Sequence, residues 1–330
     1  MLGASWHRRA GECAWRRGVA AGLLACGLFG PPALGASGGA APGPVAVAAT
    51  PAAIPDLLLS GQKARFLGGL ALSAKDPRFG GFSGMSLRRG QLRAVSDRGA
   101  WLQARMTTAA SGAATGLTAP RLGALSAADG ASLEGWTGDA EALAPDGAGG
   151  LWIGFENPHR IAAHPRLGAT PRATAPPLAP PLDGVAPNRG VEALARLSDG
   201  ALLAFSEFAE TLDAPIRAWR LAQDEDALPL LIERIDGFAP SGADLGPDGA
   251  LYLLERRADW ATGLRMRIRR FDAATLSAAI SGEAASLGLG ETLLELDLRA
   301  LIDNMEALSV EARADGQLVL TTLSDDNFSR

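Results

Sequence analysis

Eight carboxylates recur along the chain in a pattern suited to holding a hard cation or moving a proton. They are Glu141, Glu156, Glu192, Glu207, Asp244, Glu255, Glu306 and Asp325. Each belongs to one copy of a repeated phrase: an acidic or small residue, an apolar pair, a Gly-containing turn, an apolar strand, then a second acid. A further copy, Ser83-Gly84-Met85 to Ser96-Asp97, starts with serine. A set of oxygen donors with few histidines suits Ca²⁺ better than zinc. Arg98, Arg160 and Arg256 follow the acids and could pair with them or neutralise negative charge developing in a reaction. His159 is a candidate general base, with a strand-capping role beside Arg160 as the alternative. A serine nucleophile is disfavoured. Gly81-Phe82-Ser83-Gly84-Met85 lacks the final glycine of a nucleophile elbow, and Ser83 holds the acid position of the repeat.

The acids of each copy flank a turn almost symmetrically. Glu192 and Glu207 lie equally far from Asp199-Gly200, and Glu306 and Asp325 from Asp315-Gly316. Ser83 and Asp97 centre on Gly90, Glu141 and Glu156 on the 146–150 turn, and Asp244 and Glu255 miss their turn by one residue. In a plain hairpin such pairs are cross-strand neighbours at the open end, where like charges destabilise. A bound cation, an arginine, backbone amides or raised pKa values must compensate. Two readings stay open: at least one Ca²⁺ site, or a hydrogen-bond network that defines the repeat.

The elements that carry the acids are short. Met85, Leu143, Leu194, Leu245 and Leu308 mark copies 51 to 63 residues apart, the spacing of propeller blades with Asp-Gly hairpins. Leu151-Trp152-Ile153 and Leu202–Phe205 are apolar on both faces, as strands between neighbouring blades must be. Arg217–Leu221 and Arg265–Arg269 alternate and read as half-solvated outer strands. The expected fold is an all-β propeller of six four-stranded blades, with a sixth blade from 100–138 or 258–302. Ala64-Arg65-Phe66-Leu67 is the expected closing strand, and 273–285 a short helix.

Charge and cysteine usage narrow the rest. The 330 residues include 31 basic and 36 acidic side chains, for a net charge of −5. That argues against a nucleic-acid binder. Cys13 and Cys26 both lie near the start, so a downstream domain has no disulfide, thiolate metal site or cysteine nucleophile. Arg16-Arg17, the apolar run 18–29 and Ala33-Leu34-Gly35 predict a signal peptide over 1–35, too short to span a bilayer. The arginine pair is a weak twin-arginine match. Leu23-Leu24-Ala25-Cys26 offers the alternative of a lipid anchor at Cys26. An Ala/Gly/Pro-rich linker without fixed structure is expected over 36–60, and the propeller domain over 61–330. The mature protein is expected to be exported, periplasmic or secreted, and monomeric. His164, in a Pro-flanked loop, is expected to be solvated.

Six segments together resemble a known family: Asp76-Pro77-Arg78-Phe79-Gly80-Gly81-Phe82-Ser83-Gly84, Ser96-Asp97-Arg98-Gly99, Phe155-Glu156-Asn157-Pro158-His159-Arg160-Ile161, Asn188–Leu194, Leu254-Glu255-Arg256-Arg257 and Ser324-Asp325-Asp326-Asn327-Phe328. They resemble the phytase-like domain family, exported bacterial proteins with esterase-like activity of the phytase type. The resemblance runs from about Lys63 onward. It implies a β-propeller and a hydrolase but brings no substrate. Such proteins usually continue beyond Phe328 with another strand, which this sequence lacks. The metal and phosphate motifs of calcium-dependent propeller phytases are not intact here, so no catalytic residue is carried over from them. The expected function is a Ca²⁺-assisted phosphoester or carboxylic-ester hydrolase. The alternative is a non-catalytic periplasmic propeller that binds a ligand or protein partner, with structural acids.

Overall fold

Apolar runs of five to nine residues between tight turns favour pairing as antiparallel hairpins. The computed structural model of the chain describes residues 42–133, 135–171, 178–182, 190–207, 211, 213–259, 263–300 and 302–325. It opens with β1 (Gly43–Pro44), β2 (Val47–Ala52), the one-turn helix α1 (Asp56–Leu59) and β3 (Gly69–Ala74). Next come β4 (Phe82–Arg88), β5 (Gln91–Ser96), β6 (Ala100–Thr108) and β7 (Ala114–Ala124), then β8 (Ala140–Pro145), β9 (Leu151–Phe155) and β10 (Arg160–His164). A third set is β11 (Val191–Arg196), β12 (Leu202–Ser206), β13 (Ile216–Leu221) and β14 (Leu228–Ile232). The fourth is β15 (Ala239–Leu245), β16 (Leu251–Asp259), β17 (Gly263–Phe271), α2 (Ala273–Ile280) and β18 (Glu291–Asp297), and β19 (Asn304–Ala312) and β20 (Leu318–Asp325) follow.

Each set is an antiparallel meander. Among the described residues four sheets have three or more strands, and β19–β20 forms a separate hairpin. The first strands β4, β8, β11, β15 and β19 pack side by side in that order, and β19 meets β4 again. The ring is therefore closed by five inner strands, and the architecture is a β-propeller. The expected sixth blade is corrected: 100–124 supplies the outer strands of the first blade, and 263–297 those of the fourth.

Five apolar clusters fill the five gaps between neighbours. Leu253 and Phe271 meet Phe205 and Ile232 between the third and fourth blades, and Leu254 and Ile268 meet Leu308 and Val310 across the next gap. Val95 and Trp101 meet Ile153 and Phe155. Burying each such side chain contributes roughly 1.5–3 kcal/mol. The hairpin turns follow the expected chemistry. Gly200 adopts φ +95°, a region open to glycine, and Asp199 Oδ1 accepts the Ala201 N–H at 3.0 Å.

The N-terminal flank departs from expectation. β2 lies within the stretch read as an unstructured linker and pairs with β3. Its alternating exposure lets Val47 and Ala49 pack on the cluster of Leu70, Leu102 and Leu323. Ala64–Leu67 is irregular rather than a strand, and Ala64 and Phe66 pack beneath β18 and β19. The expected signal peptide and Cys26 lie outside the described residues. Among the described residues no helix is long and apolar enough to cross a membrane.

Candidate functional site

Every inner strand carries a β-bulge at the same place. Register shifts fall between Phe82 and Gly84, Ala140 and Ala142, Val191 and Ala193, Pro240 and Gly242, and Met305 and Ala307. The bulged residues are Ser83, Glu141, Glu192, Ser241 and Glu306. A bulge inserts one unpaired residue and re-aims its side chain. These five and the two residues after each line a central channel. Its free volume is about 10 Å³, room for about one water molecule. A ligand must therefore sit above the constriction, in the mouth where the inner strands begin.

The second strands end at the same mouth. Ser96, Phe155, Ser206, Glu255 and Ser324 pair with the residue just before each bulge. The following residues are Asp97, Glu156, Glu207, Arg256 and Asp325. Four blades thus bring a carboxylate to the mouth and the fourth brings a guanidinium. Arg256 Nη2 lies 3.5 Å from Glu192, and Nη1 donates to Glu306 and, at 2.7 Å, to Asn304 Oδ1.

The acids are crowded and desolvated. Burial, and then the neighbouring Asp325, push the Asp97 carboxyl up to about 7. Burial, opposed by Arg256 and aided by Asp325, takes Glu306 to about 8. Glu141 is held well above the ordinary carboxylate range by burial, a hydrogen bond to Asp139 and the charges of Glu306, Asp139 and Glu156. Glu192 is raised by burial, Glu141 and Glu207. Glu156 rises through burial, although Gly190 N–H donates to it at 2.7 Å. Ligand atoms of Asp139, Glu141 and Glu156 all lie within 4.8 Å of one another. Asn157 Nδ2 donates to Asp139 Oδ2 at 2.6 Å.

His159 and Arg160 flank this trio. The His159 ring lies so close to Gly190 that a Cβ there would clash with it, and its Nδ1 is buried without a hydrogen-bond partner. Arg160 stacks 3.9 Å over the Phe155 ring and donates to the Asn157, Pro158 and Thr137 carbonyls. Arg98 lies beside Asp97 and opposes its rise.

Glu141, Glu156, Glu192, Glu207, Glu306 and Asp325 are thus brought together around the mouth, with Asp97. Their expected cross-strand opposition is corrected. The bulge shifts the register, so Val191 faces Ser206 and each second acid lies opposite the residue two before the bulge, as Asp325 faces Asn304 rather than Glu306. Asp244 and Glu255 lie elsewhere. Matching Asp244-Leu245 to Glu-Ala-Leu sets the fourth copy three residues late, since Ser241 is the counterpart of Glu141. Asp244 sits at the far end of the channel, bound by Arg88 at 2.7 and 2.8 Å and by the Val310 N–H at 2.7 Å. Glu255 is wholly buried between Arg267 and Arg269, which donate to it at 2.5 to 3.0 Å. Those arginines belong to β17, read as half-solvated, and their guanidiniums are inside. His164 is also buried, with Nδ1 3.1 Å from the Ala169 carbonyl, so it is not a solvated loop residue. Asp139 lies outside the repeated phrase. Its signal was modest: an acid two residues before Glu141, on the same side of an extended chain.

Comparison with known proteins adds the lineage. The family described as Phytase-like: Esterase-like activity of phytase matches residues 77–328. No curated protein matches the chain. Among solved structures, a gluconolactonase from Xanthomonas campestris is similar at 14% identity and a TM-score of 0.35, over 73% of this chain and 68% of that one. A glycosyl hydrolase from Bacteroides ovatus is similar at 14% identity and a TM-score of 0.35, over 74% and 84%. A glucose dehydrogenase is similar at 14% identity and a TM-score of 0.33, over 86% and 96%.

Proposed function

The chain belongs to the phytase-like family named for esterase-like activity of phytase, and from that premise we propose that it is a hydrolase of phosphoesters or carboxylic esters whose reaction centre is the acidic mouth. The observation that carries this reading is the convergence of Asp139, Glu141 and Glu156 within 4.8 Å, in a mouth where carboxylates outnumber arginines.

An all-oxygen, anionic and partly buried donor set fits a hard divalent cation such as Ca²⁺. Asp139, Glu141 and Glu156 would hold it, with Glu192 beside Glu141. Such an ion, when bound, polarises an ester and lowers the pKa of a water. The remaining work falls to the chain's own side chains. His159, whose Nδ1 is buried without a hydrogen-bond partner, would take up and return a proton. Arg160 lacks an ion-pair partner among the described residues and would face charge building on the ester oxygens. Arg98 would do the same from the first blade. Arg256 is held by Glu192 and Glu306, so its role is to position those acids and balance their charge. Glu207, Glu306 and Asp325 complete the anionic wall. The leader over 1–35 supports an exported, periplasmic or secreted setting, with lipidation at Cys26 as the alternative.

The deciding assay uses metal-stripped protein with a phosphomonoester, a phosphodiester and a short-chain acyl ester, with and without Ca²⁺. Ca²⁺-dependent turnover is expected on one of them. It is expected to vanish in Glu141→Gln, together with the Ca²⁺-induced rise in Tm. The bonds from Gly190 N–H to Glu156 and from Asn157 to Asp139 favour a second reading, in which the acids are architectural and the propeller only binds a ligand or partner. No turnover on any ester, with Tm unchanged by Ca²⁺, selects that reading.

A further inference from the structure

The opposite end of the first blade carries the reverse charge. β4 runs from the mouth at Phe82 to Arg88, and β5 returns from Gln91. A pocket of about 320 Å³ opens there, lined by Ser86, Arg88, Arg89, Gln91, Arg93 and Arg105. Period-two alternation puts Ser86 and Arg88 on one face of β4, and the register sets Arg93 opposite Ser86 and Gln91 opposite both Arg88 and Arg105. One face of three adjacent strands thus presents hydroxyl, amide and guanidinium donors, and among the described residues no side chain lining the pocket is acidic.

Part of this charge is already matched. Arg88 is held by Asp244, and Glu311, which accepts the Arg89 backbone N–H at 2.5 Å, lies near enough to feel the charges of Arg88 and Arg89. Arg93 reaches only the Gly149 carbonyl, at 3.4 Å, and neither it nor Arg105 makes an ion pair among the described residues. Three like charges on one strand face, with Arg89 in the turn beside them, repel, and planar guanidiniums match the oxygens of a phosphoryl group two at a time. A chain with a net charge of −5 has little general reason to gather arginines here.

We propose that this pocket is a second binding site, for a small phosphorylated anion, at the end of the channel away from the acidic mouth. Arg93 and Arg105 grip the phosphoryl oxygens, with Gln91 and Ser86 donating beside them. Arg88 is kept in place by Asp244.

The test uses full-length, metal-stripped protein so that the mouth cannot hold the anion through a cation. Calorimetry with inorganic pyrophosphate at fixed ionic strength reads the affinity, and a thermal melt reads the stabilisation. Saturable one-to-one binding is expected, weakened at least tenfold in the Arg93→Ala/Arg105→Ala variant and unchanged in Glu141→Gln. Both arginines lie on the surface side of their strands, so the variant should fold, and its melt without ligand checks this. Absence of saturable binding overturns the proposal. So does equal affinity in the double variant, or loss of binding in Glu141→Gln. None of these results depends on whether the mouth hydrolyses an ester.

Discussion

Two groups of buried acids in this molecule solve the same electrostatic problem differently. Glu255 has two guanidiniums of its own. Arg267 and Arg269 bind both its oxygens, Arg269 also donates to the Glu233 and Leu289 carbonyls, and Arg267 lies 4.2 Å over the Phe238 ring. At the mouth Glu192 and Glu306 share Arg256, and burial drives their pKa values and that of Glu141 upward. In the first arrangement both carboxylate oxygens are paired with guanidiniums. The second is short of positive charge, and it holds that charge deficit at a channel entrance. An acidic repeat therefore marks architecture in one blade and the proposed reaction centre in the others. The neighbouring cations decide which.

The largest effect should come from emptying the paired arrangement. Glu255→Gln leaves two buried guanidiniums without their carboxylate and should cost about 3–5 kcal/mol, read by urea denaturation. A cost below about 1 kcal/mol would show that the pair is not the structural lock described. Next is Arg256→Met, expected to cost about 3 kcal/mol at pH 8 and clearly less at pH 5, because the acids it serves can then take up protons. Equal costs at both pH values would detach Arg256 from the mouth electrostatics.

A smaller, graded effect is expected with pH. In the folded protein Glu306 titrates near 8 and Asp97 near 7, above the values of an unfolded chain. Across that window the folded state binds more protons than the unfolded one. The stability they contribute is full below about pH 4 and is lost as pH rises through 7 to 8. Metal-stripped protein should therefore melt lower at pH 8 than at pH 5, and Glu306→Gln should flatten the slope. A rising slope would reverse the assignment. The smallest change in stability is expected for Glu141→Gln, within about 1 kcal/mol, since it only removes one of several competing acids. Its diagnostic readout is loss of the Ca²⁺-dependent Tm rise. A large destabilisation would place Glu141 with Glu255 as an architectural acid.

The repeat was readable because each hairpin is local. Asp-Gly turns, apolar runs and flanking acids recur within about 25 residues, and six of the eight predicted acids do meet at one mouth. Asp244 and Glu255 were misassigned for a specific reason. In the fourth copy serine replaces the first acid and arginine the second, so the nearest acids in sequence belong to other positions. The linker at 47–52 became a strand because β3, some twenty residues later, offers it a ladder and an apolar cluster.

What the amino-acid order determined was the repeated hairpin, its all-β character and the delivery of acids to one end of it, all consequences of turn chemistry and period-two alternation. Ring closure at five, the bulges that swing Glu141, Glu192 and Glu306 toward the axis, and the pairing of Glu255 with β17 were settled only in three dimensions. These features depend on packing between strands far apart in sequence. How many blades fit around an axis, and which charges end up sharing one guanidinium, is a property of the closed ring and of no single repeat within it.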